Sequence, residues 1–192
     1  DTYGEGGNHF IHTIRRNIDI AHFVHNNQVY GLTKGQASPT TSMGQKTTMQ
    51  FDGVKLEPIN PMTLAIASGA GFVARGFSGD IPHLGDLMKQ AITYKGYALL
   101  DILQPCVVWN RVNTFRWYRD RVYHLPEDYD HTNREEATKK ALEFGDKIPI
   151  GVLYKVEKQT YEDRFDFIRD GVPLVDRDLD PMDAEKLLEE FM

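Results

Sequence analysis

The residues most able to do chemistry are Asn26-Asn27-Gln28-Val29-Tyr30, which follow an apolar stretch of strand length and lead into a loop rich in Gly, Thr, Lys and Ser. An Asn amide oxygen and a free backbone carbonyl are hard, neutral donors. Together they suit a Mg2+ shared with a carboxylate and the oxygens of a diphosphate. Read locally, the same pair also suits a plain turn that ends a strand, since Asn tolerates turn conformations. Lys34, just beyond, offers a cation for a phosphate or a substrate carboxylate, or is simply a solvated loop lysine. Cys106, the only cysteine, follows a buried-type strand and reads by composition as a core thiol. It excludes an internal disulfide framework. Arg111, Arg116, Arg119 and Arg121 interleave with Phe115, Trp117 and Tyr118, either as a basic docking patch or as a packed or solvated face. His9, His12, His22 and His25 have no consistent metal-ligand spacing on one element. His22 and His25 read as strand residues, and His9, at a helix start, is the one of the four placed to meet an anion.

Those residues need elements to position them. Residues 8–16 carry apolar groups at 10, 11 and 14 and close on Arg15-Arg16, which predicts a helix capped by Asn8. Residues 18–24 form an apolar strand that stops at Asn26-Asn27. The irregular stretch 30–61 is of the length and composition of a functional loop. Pro61 opens a small-residue helix ending near Gly69 or Gly71. Phe72–Arg75 reads as a short strand, 83–94 as an amphipathic helix, and 97–103 as an almost uninterrupted apolar strand of the kind covered on both faces. Beyond Pro105 follow the Arg/aromatic segment at 111–121, a helix near 132–144 and a strand near 148–156. Helix and strand alternating three times predict an α/β fold with a doubly wound, mostly parallel sheet.

Ligands of such sheets sit at the carboxyl ends of the strands, where Asn26-Asn27 stands. Charge divides the chain. Residues 1–156 carry 17 bases against 16 acids, and 157–192 carry 5 against 12. Leu187, Leu188 and Phe191 give that acidic tail one apolar stripe, so it is expected to dock on a neighbouring surface. A net charge of −6 gives no basis for nucleic-acid binding. The sequence holds no apolar run of the roughly 18 residues needed to cross a bilayer and no signal-peptide pattern at its start, so a cytoplasmic location is expected, without membrane contact. The opening Asp1-Thr-Tyr-Gly-Glu-Gly-Gly suggests the C-terminal portion of a longer polypeptide.

The ordered matches Gly6-Gly-Asn-His-Phe-Ile-His12, Arg15-Arg-Asn-Ile-Asp-Ile20, Asn26-Asn-Gln-Val-Tyr-Gly-Leu-Thr-Lys-Gly-Gln36 and Ser38-Pro-Thr40 resemble the thiamin-diphosphate-binding β subunit of 2-oxoacid:ferredoxin oxidoreductases. The resemblance continues through Phe77-Ser-Gly-Asp80, Asp101-Ile-Leu-Gln-Pro-Cys106 and Ile148-Pro-Ile-Gly151. It implies Asn27 as a side-chain Mg2+ ligand, Val29 as a backbone-carbonyl ligand, and Asp1, Gly31, Leu32 and Thr33 as the diphosphate cradle. Leu32 and Lys34 would face the substrate. Cys106 would be the last of four thiolate ligands of a 4Fe–4S cluster, the other three lying upstream. The family's metal motif opens with Gly-Asp-Gly, which is absent here; Asp1 matches the residue after it, so the anionic ligand would fall two positions before the chain begins.

The implied activity is oxidative decarboxylation of a 2-oxoacid to acyl-CoA and CO2, with electrons passed to ferredoxin. Thiamin diphosphate, Mg2+ and the cluster are its cofactors, and the site is completed by an α subunit. The fragment alone is expected to be inactive, and no catalytic residue of its own stands out. Residues 1–110 would be the C-terminal part of the cofactor-binding domain, and 111–192 an extension packing on it or on a partner subunit. Pyruvate, 2-oxoglutarate and branched 2-oxoacids all remain open, with a lean to 2-oxoglutarate or broad use. A non-oxidative thiamin-diphosphate decarboxylase or carboligase would share the Asn loop but have no use for a cluster cysteine. A non-catalytic fragment would keep the fold without the site.

Overall fold

The computed structural model describes residues 1–169, 171–176 and 188–189. The chain divides into a unit spanning residues 1–161 and a second spanning 162–192. The first holds five helices and five strands: α1 (Gly7–Arg16), β1 (Ile20–Asn26), α2 (Pro61–Ala67), β2 (Phe72–Phe77), α3 (Ile81–Thr93), β3 (Tyr97–Leu103), α4 (Phe115–Arg119), β4 (Val122–His124), α5 (Arg134–Leu142) and β5 (Ile148–Lys155). In the second unit the described elements are a short helix α6 (Asp166–Arg169) between two 3-10 turns.

The sheet order is β1-β3-β2-β5-β4. β1 and β2 both run parallel to β3, β5 runs antiparallel to β2, and β4 runs parallel to β5. β3 lies between β1 and β2, and all seven of its residues are buried. Its alternate side chains point to opposite faces. Tyr97 and Leu99 join Phe10, Ile14, Met62, Ile66, Ala137 and Ala141 of α1, α2 and α5, whereas Ala98, Leu100 and Ile102 join Leu87, Ala91 and Tyr94 of α3 and its end. Helices thus cover both faces, as the apolar, non-alternating sequence of β3 predicts. Leucine-sized side chains buried here are worth roughly 1.5–3 kcal/mol each, which makes β3 the energetic spine of the unit.

Local signals place the ends of several elements. Asn60 Oδ1 accepts from the amides of Met62 and Thr63, both at 3.1 Å, and Pro61 fills the first helical position of α2. Asp80 caps α3 through His83 N. α1 departs from expectation. Asn8 lies inside the helix and caps nothing; the N-cap is Gly6, without a side-chain bond. The helix starts a residue earlier because the glycine-rich chain before it coils into turns, with the Asp1 carbonyl accepting from the Gly4 and Gly6 amides. Residues 27–60 contain no regular element beyond a Tyr30–Gln36 bridge, as the composition indicates. Of the acidic tail's apolar stripe, Leu187 and Phe191 lie outside the described residues, and Leu188 is exposed. Among the described residues no helix is long and apolar enough to cross a membrane.

Candidate active site at the carboxyl ends of the parallel strands

β1 runs out at Asn26, and the backbone reverses through Asn27 and Gln28, the latter in the left-handed region at φ 56°. Asn27 Oδ1 accepts from Val29 N at 3.1 Å, a side-chain-closed turn of the kind Asn favours. Asp1, Asn26, Asn27, Gln28, Val29, Ser38, Pro39 and Thr40 line one cavity of about 190 Å3. The Val29 carbonyl accepts no hydrogen bond among the described residues, and the second lone pair of Asn27 Oδ1 is also available. Gln28 Oε1, in the same lining, is buried without a partner. Three predicted site residues therefore meet in one cavity: Asp1, Asn27 and Val29.

Gly31, Leu32, Thr33 and Lys34 do not line that cavity. They form the adjacent turn, closed by Lys34 N to the Gly31 carbonyl at 3.1 Å and by Gly35 N to the Tyr30 carbonyl at 2.8 Å. Within it the amides of Gly31, Leu32 and Thr33 donate to no group among the described residues, a row of N–H groups of the kind that binds anions. Thr33 Oγ1 is turned onto Gln36 Oε1. Leu32 is 99% exposed, and Lys34 forms no ion pair among the described residues. The turn sits beside Asn27: a Cβ built on Gly31 would lie 3.9 Å from Asn27 Nδ2.

Beneath the cavity lies a buried polar relay. Thr40 Oγ1 donates to Asn26 Oδ1 at 2.8 Å, Asn26 Nδ2 donates to Asp101 Oδ2 at 3.3 Å, and the Tyr3 hydroxyl donates to Asp101 Oδ1 at 2.7 Å. Burial pushes the Asp101 carboxyl above its ordinary value, opposed by the Tyr3 hydroxyl, the Arg75 charge and Asn26. Tyr3, for its part, is held well above the usual phenol range by burial and by Asp101. Arg75 places its guanidinium on the carbonyls of Ala141 and Glu143.

Cys106 follows β3 and lies in a tight turn. Its Sγ accepts from Trp109 N at 3.4 Å. Partial burial pushes the thiol up, but the amides of Trp109, Val108 and Asn110 outweigh it and hold the pKa below the ordinary value. N–H donors aimed at sulfur favour a thiolate, which is the ligand form for a metal cluster. The turn packs directly on the Gly31–Gly35 loop. A Cβ on Gly35, which has φ 96°, would stand 3.0 Å from the Trp109 ring, so a side chain there would be both strained and crowded. Asn110 Nδ2 donates to the Asn27 carbonyl at 3.1 Å.

Trp109, Asn110, Tyr3 and Asp101 are thus site residues that sequence reasoning did not single out. The one local signal was the Cys106-x-x-x-Asn110 spacing, which places an Asn where it can close a turn.

Other predicted features are placed differently. Arg121 lies over Trp117, 4.4 Å from the ring centre, and donates to its carbonyl; Arg116 pairs with Asp120 at 3.9 Å. His22 and His25 are strand residues of β1, as expected. His9 lines a separate cavity with Phe10 and His22. Asp80, His83 and His124 bring potential ligand atoms within 4.8 Å of one another. The rings of His83 and His124 stack at 4.3 Å and 18°, however, and in-plane lone pairs of near-parallel rings do not converge on one ion.

Comparison with known proteins agrees with this geometry. Residues 1–102 match the model of the thiamine pyrophosphate enzyme C-terminal TPP-binding domain, and residues 106–170 match that of the C-terminal part of the pyruvate ferredoxin oxidoreductase β subunit. The chain is 44% identical over 177 residues to a 2-oxoacid:ferredoxin oxidoreductase β subunit from Sulfolobus sp, an alignment covering 85% of this chain and 58% of that protein. It is 45% identical over 176 residues to the β subunit from Saccharolobus solfataricus, with the same coverage of each. It therefore spans somewhat over half the length of these relatives. A solved 2-oxoglutarate:ferredoxin oxidoreductase from Magnetococcus marinus, with 2-oxoglutarate, coenzyme A and succinyl-CoA bound, superposes with a TM-score of 0.87 at 31% identity, over 96% of this chain and 63% of that one. With the fold, the cavity at the strand ends and the expected likeness to the ferredoxin oxidoreductase β subunits all in agreement, the chain belongs to the thiamine pyrophosphate enzyme family, whose C-terminal TPP-binding domain model it matches over residues 1–102.

Proposed function

We propose that the chain is the larger part of the β subunit of a 2-oxoacid:ferredoxin oxidoreductase, which oxidatively decarboxylates a 2-oxoacid to acyl-CoA and CO2 and passes the electrons to ferredoxin. The observation that carries the reading is the direct packing of two sites: the Asn27–Val29 oxygens with a neighbouring row of amides that have no acceptor among the described residues, and the Cys106 turn whose Trp109 N–H donates to sulfur. A non-oxidative thiamin-diphosphate enzyme would require only the first.

Thiamin diphosphate, held through Mg2+, supplies the carbanion chemistry when bound. In this reading Asn27 Oδ1 and the Val29 carbonyl ligate the Mg2+, while Asp1, Gly31, Leu32 and Thr33 receive the diphosphate. The chemistry of the donors fits, since hard oxygens suit Mg2+ and unpaired amides suit phosphate oxygens. Neutral oxygens alone hold Mg2+ weakly, so an anionic ligand is expected from the Gly-Asp-Gly motif of the family. Leu32 and Lys34 stand exposed on the turn, where the Lys34 cation suits a 2-oxoacid carboxylate. A cavity of about 190 Å3 admits a diphosphate head but falls below the roughly 300 Å3 of a full small-molecule site, which supports an interface site completed by an α subunit. Cys106 would ligate a 4Fe–4S cluster with three cysteines from upstream. Residues 1–110 are assigned to the cofactor-binding domain, and 111–192 to an extension that packs on it or on a partner. Coenzyme A as acyl acceptor, 2-oxoglutarate as a substrate and a cytoplasmic location belong to the same proposal.

The test uses the full-length β subunit assembled with its α partner. The expected result is Mg2+-dependent binding of thiamin diphosphate and 2-oxoacid- and CoA-dependent reduction of ferredoxin. Asn27→Ala should abolish cofactor binding while leaving the visible absorption of the cluster. Cys106→Ser should do the reverse. Cofactor binding without any acceptor reduction, or an enzyme indifferent to Cys106→Ser, would refute the oxidoreductase reading.

A further inference from the structure

We infer that Asn110 is a positioning residue that holds the magnesium-ligating end of β1 in register with the Cys106 turn; the inference rests on the reading of the site proposed above. Asn110 is 2% exposed, and its side chain is fully engaged. Nδ2 donates to the Asn27 carbonyl at 3.1 Å and to Asn113 Oδ1 at 3.2 Å. Oδ1 accepts from the amides of Val112 and Asn113 at 3.1 and 3.0 Å and from Gln45 Nε2 at 3.4 Å. Its own amide donates to the Cys106 carbonyl at 3.2 Å, closing the turn that presents Trp109 N to the sulfur.

The bond to Asn27 spans 83 positions of sequence and, among the described residues, is the one hydrogen bond from this side chain to the Asn27–Val29 segment. It fixes the peptide between Asn27 and Gln28, the hinge at which the backbone enters the left-handed region. That peptide sets the aim of both metal-ligand candidates, since the Asn27 side chain and Val29 N close on each other across it. Trp109, seated on Gly35 and within 3.9 Å of the Gly31 Cβ position, adds an apolar contact between the same two segments. One side chain therefore ties the candidate Mg2+-ligating oxygens to the turn bearing Cys106.

Two substitutions isolate that link. Asn110→Ser keeps an oxygen that can cap the Val112 and Asn113 amides and loses the Nδ2 donor both to the Asn27 carbonyl and to Asn113 Oδ1; Asn113→Ala loses the second of these bonds alone. They are compared with the wild-type full-length β subunit assembled with its α partner. The readouts are the thiamin diphosphate Kd by isothermal titration with Mg2+, cluster content by the electron paramagnetic resonance of the reduced enzyme, and the melting temperature. Loss of the bond to Asn27 should raise the Kd about tenfold in Asn110→Ser and leave it unchanged in Asn113→Ala, with cluster content close to wild type in both and the melting temperature lowered by about 2–4 °C per bond lost. An unchanged Kd in Asn110→Ser overturns the inference, as does an equal rise in Asn113→Ala. So does a Kd that rises only in step with loss of cluster, since Asn110 would then merely hold its own turn together. Failure of the wild-type enzyme to bind thiamin diphosphate would instead overturn the functional reading, and this inference with it.

Discussion

Asp101 shows how a single buried carboxyl is accommodated under the cavity. Its two oxygens take one donor each, from the Tyr3 hydroxyl and Asn26 Nδ2, while Arg75 contributes charge from a position where its own hydrogen bonds go to main-chain carbonyls. Because burial keeps the Tyr3 hydroxyl protonated far above neutral pH, it is a permanent donor. Tyr3→Phe leaves shape and aromatic packing against Phe10 intact but removes that donor. A buried acceptor left short of its partner costs about 1–3 kcal/mol. Urea unfolding should show a lower midpoint with an unchanged slope. An unchanged midpoint would mean that Asn26 and the Arg75 charge suffice to hold Asp101.

At the scale of elements, α2 rests on one residue. Asn60 caps its first turn and also donates through Nδ2 to the Ala141 carbonyl at 2.8 Å, joining the start of α2 to the end of α5. Removing the cap costs about 1 kcal/mol and removing the second bond a similar amount. Asn60→Ala should therefore lower the melting temperature by roughly 4–8 °C, and Asn60→Asp, which keeps the cap alone, by about half as much. Equal losses in the two variants would remove the cap from the account. This junction was half legible in the sequence: Asn60-Pro61 announces a helix start, but nothing local says that the same amide reaches 81 residues ahead. The pattern repeats elsewhere. β3 is readable because its burial on both faces is written into an apolar run, whereas the three residues of β4 carry no period and the reversed direction of β5 depends on partners. The Asn26-Asn27 turn is written in residue type; Asn110 is legible only as a turn residue, because its bond to Asn27 goes to a backbone carbonyl far upstream.

For the molecule as a whole, the pH response follows from rings that fold into apolar surroundings. His22 packs edge-on against Phe10 and Tyr97, with Nδ1 2.8 Å from the Tyr97 hydroxyl, and burial lowers its pKa from 6.5. His83 is lowered first by burial and then by the neighbouring His124, against the opposing pull of Asp80 and Asp86. For both, the folded value lies below the unfolded one, so unfolding takes up protons as the medium turns acidic. Their contribution is complete above about 6.5 and is lost as pH falls through that value towards the folded pKa. Asp101, raised on folding, acts with the opposite sign, its contribution fading as pH rises through its folded value. Comparing variants in which Asp101 is unchanged cancels its part. Between about pH 7.5 and 5.5 the wild-type melting temperature should fall, and a His22→Gln, His83→Gln double variant should fall less steeply over the same interval. Parallel slopes for the two proteins would show that the acid sensitivity arises elsewhere, and that neither ring needs to stay neutral for the sheet and its covering helices to hold.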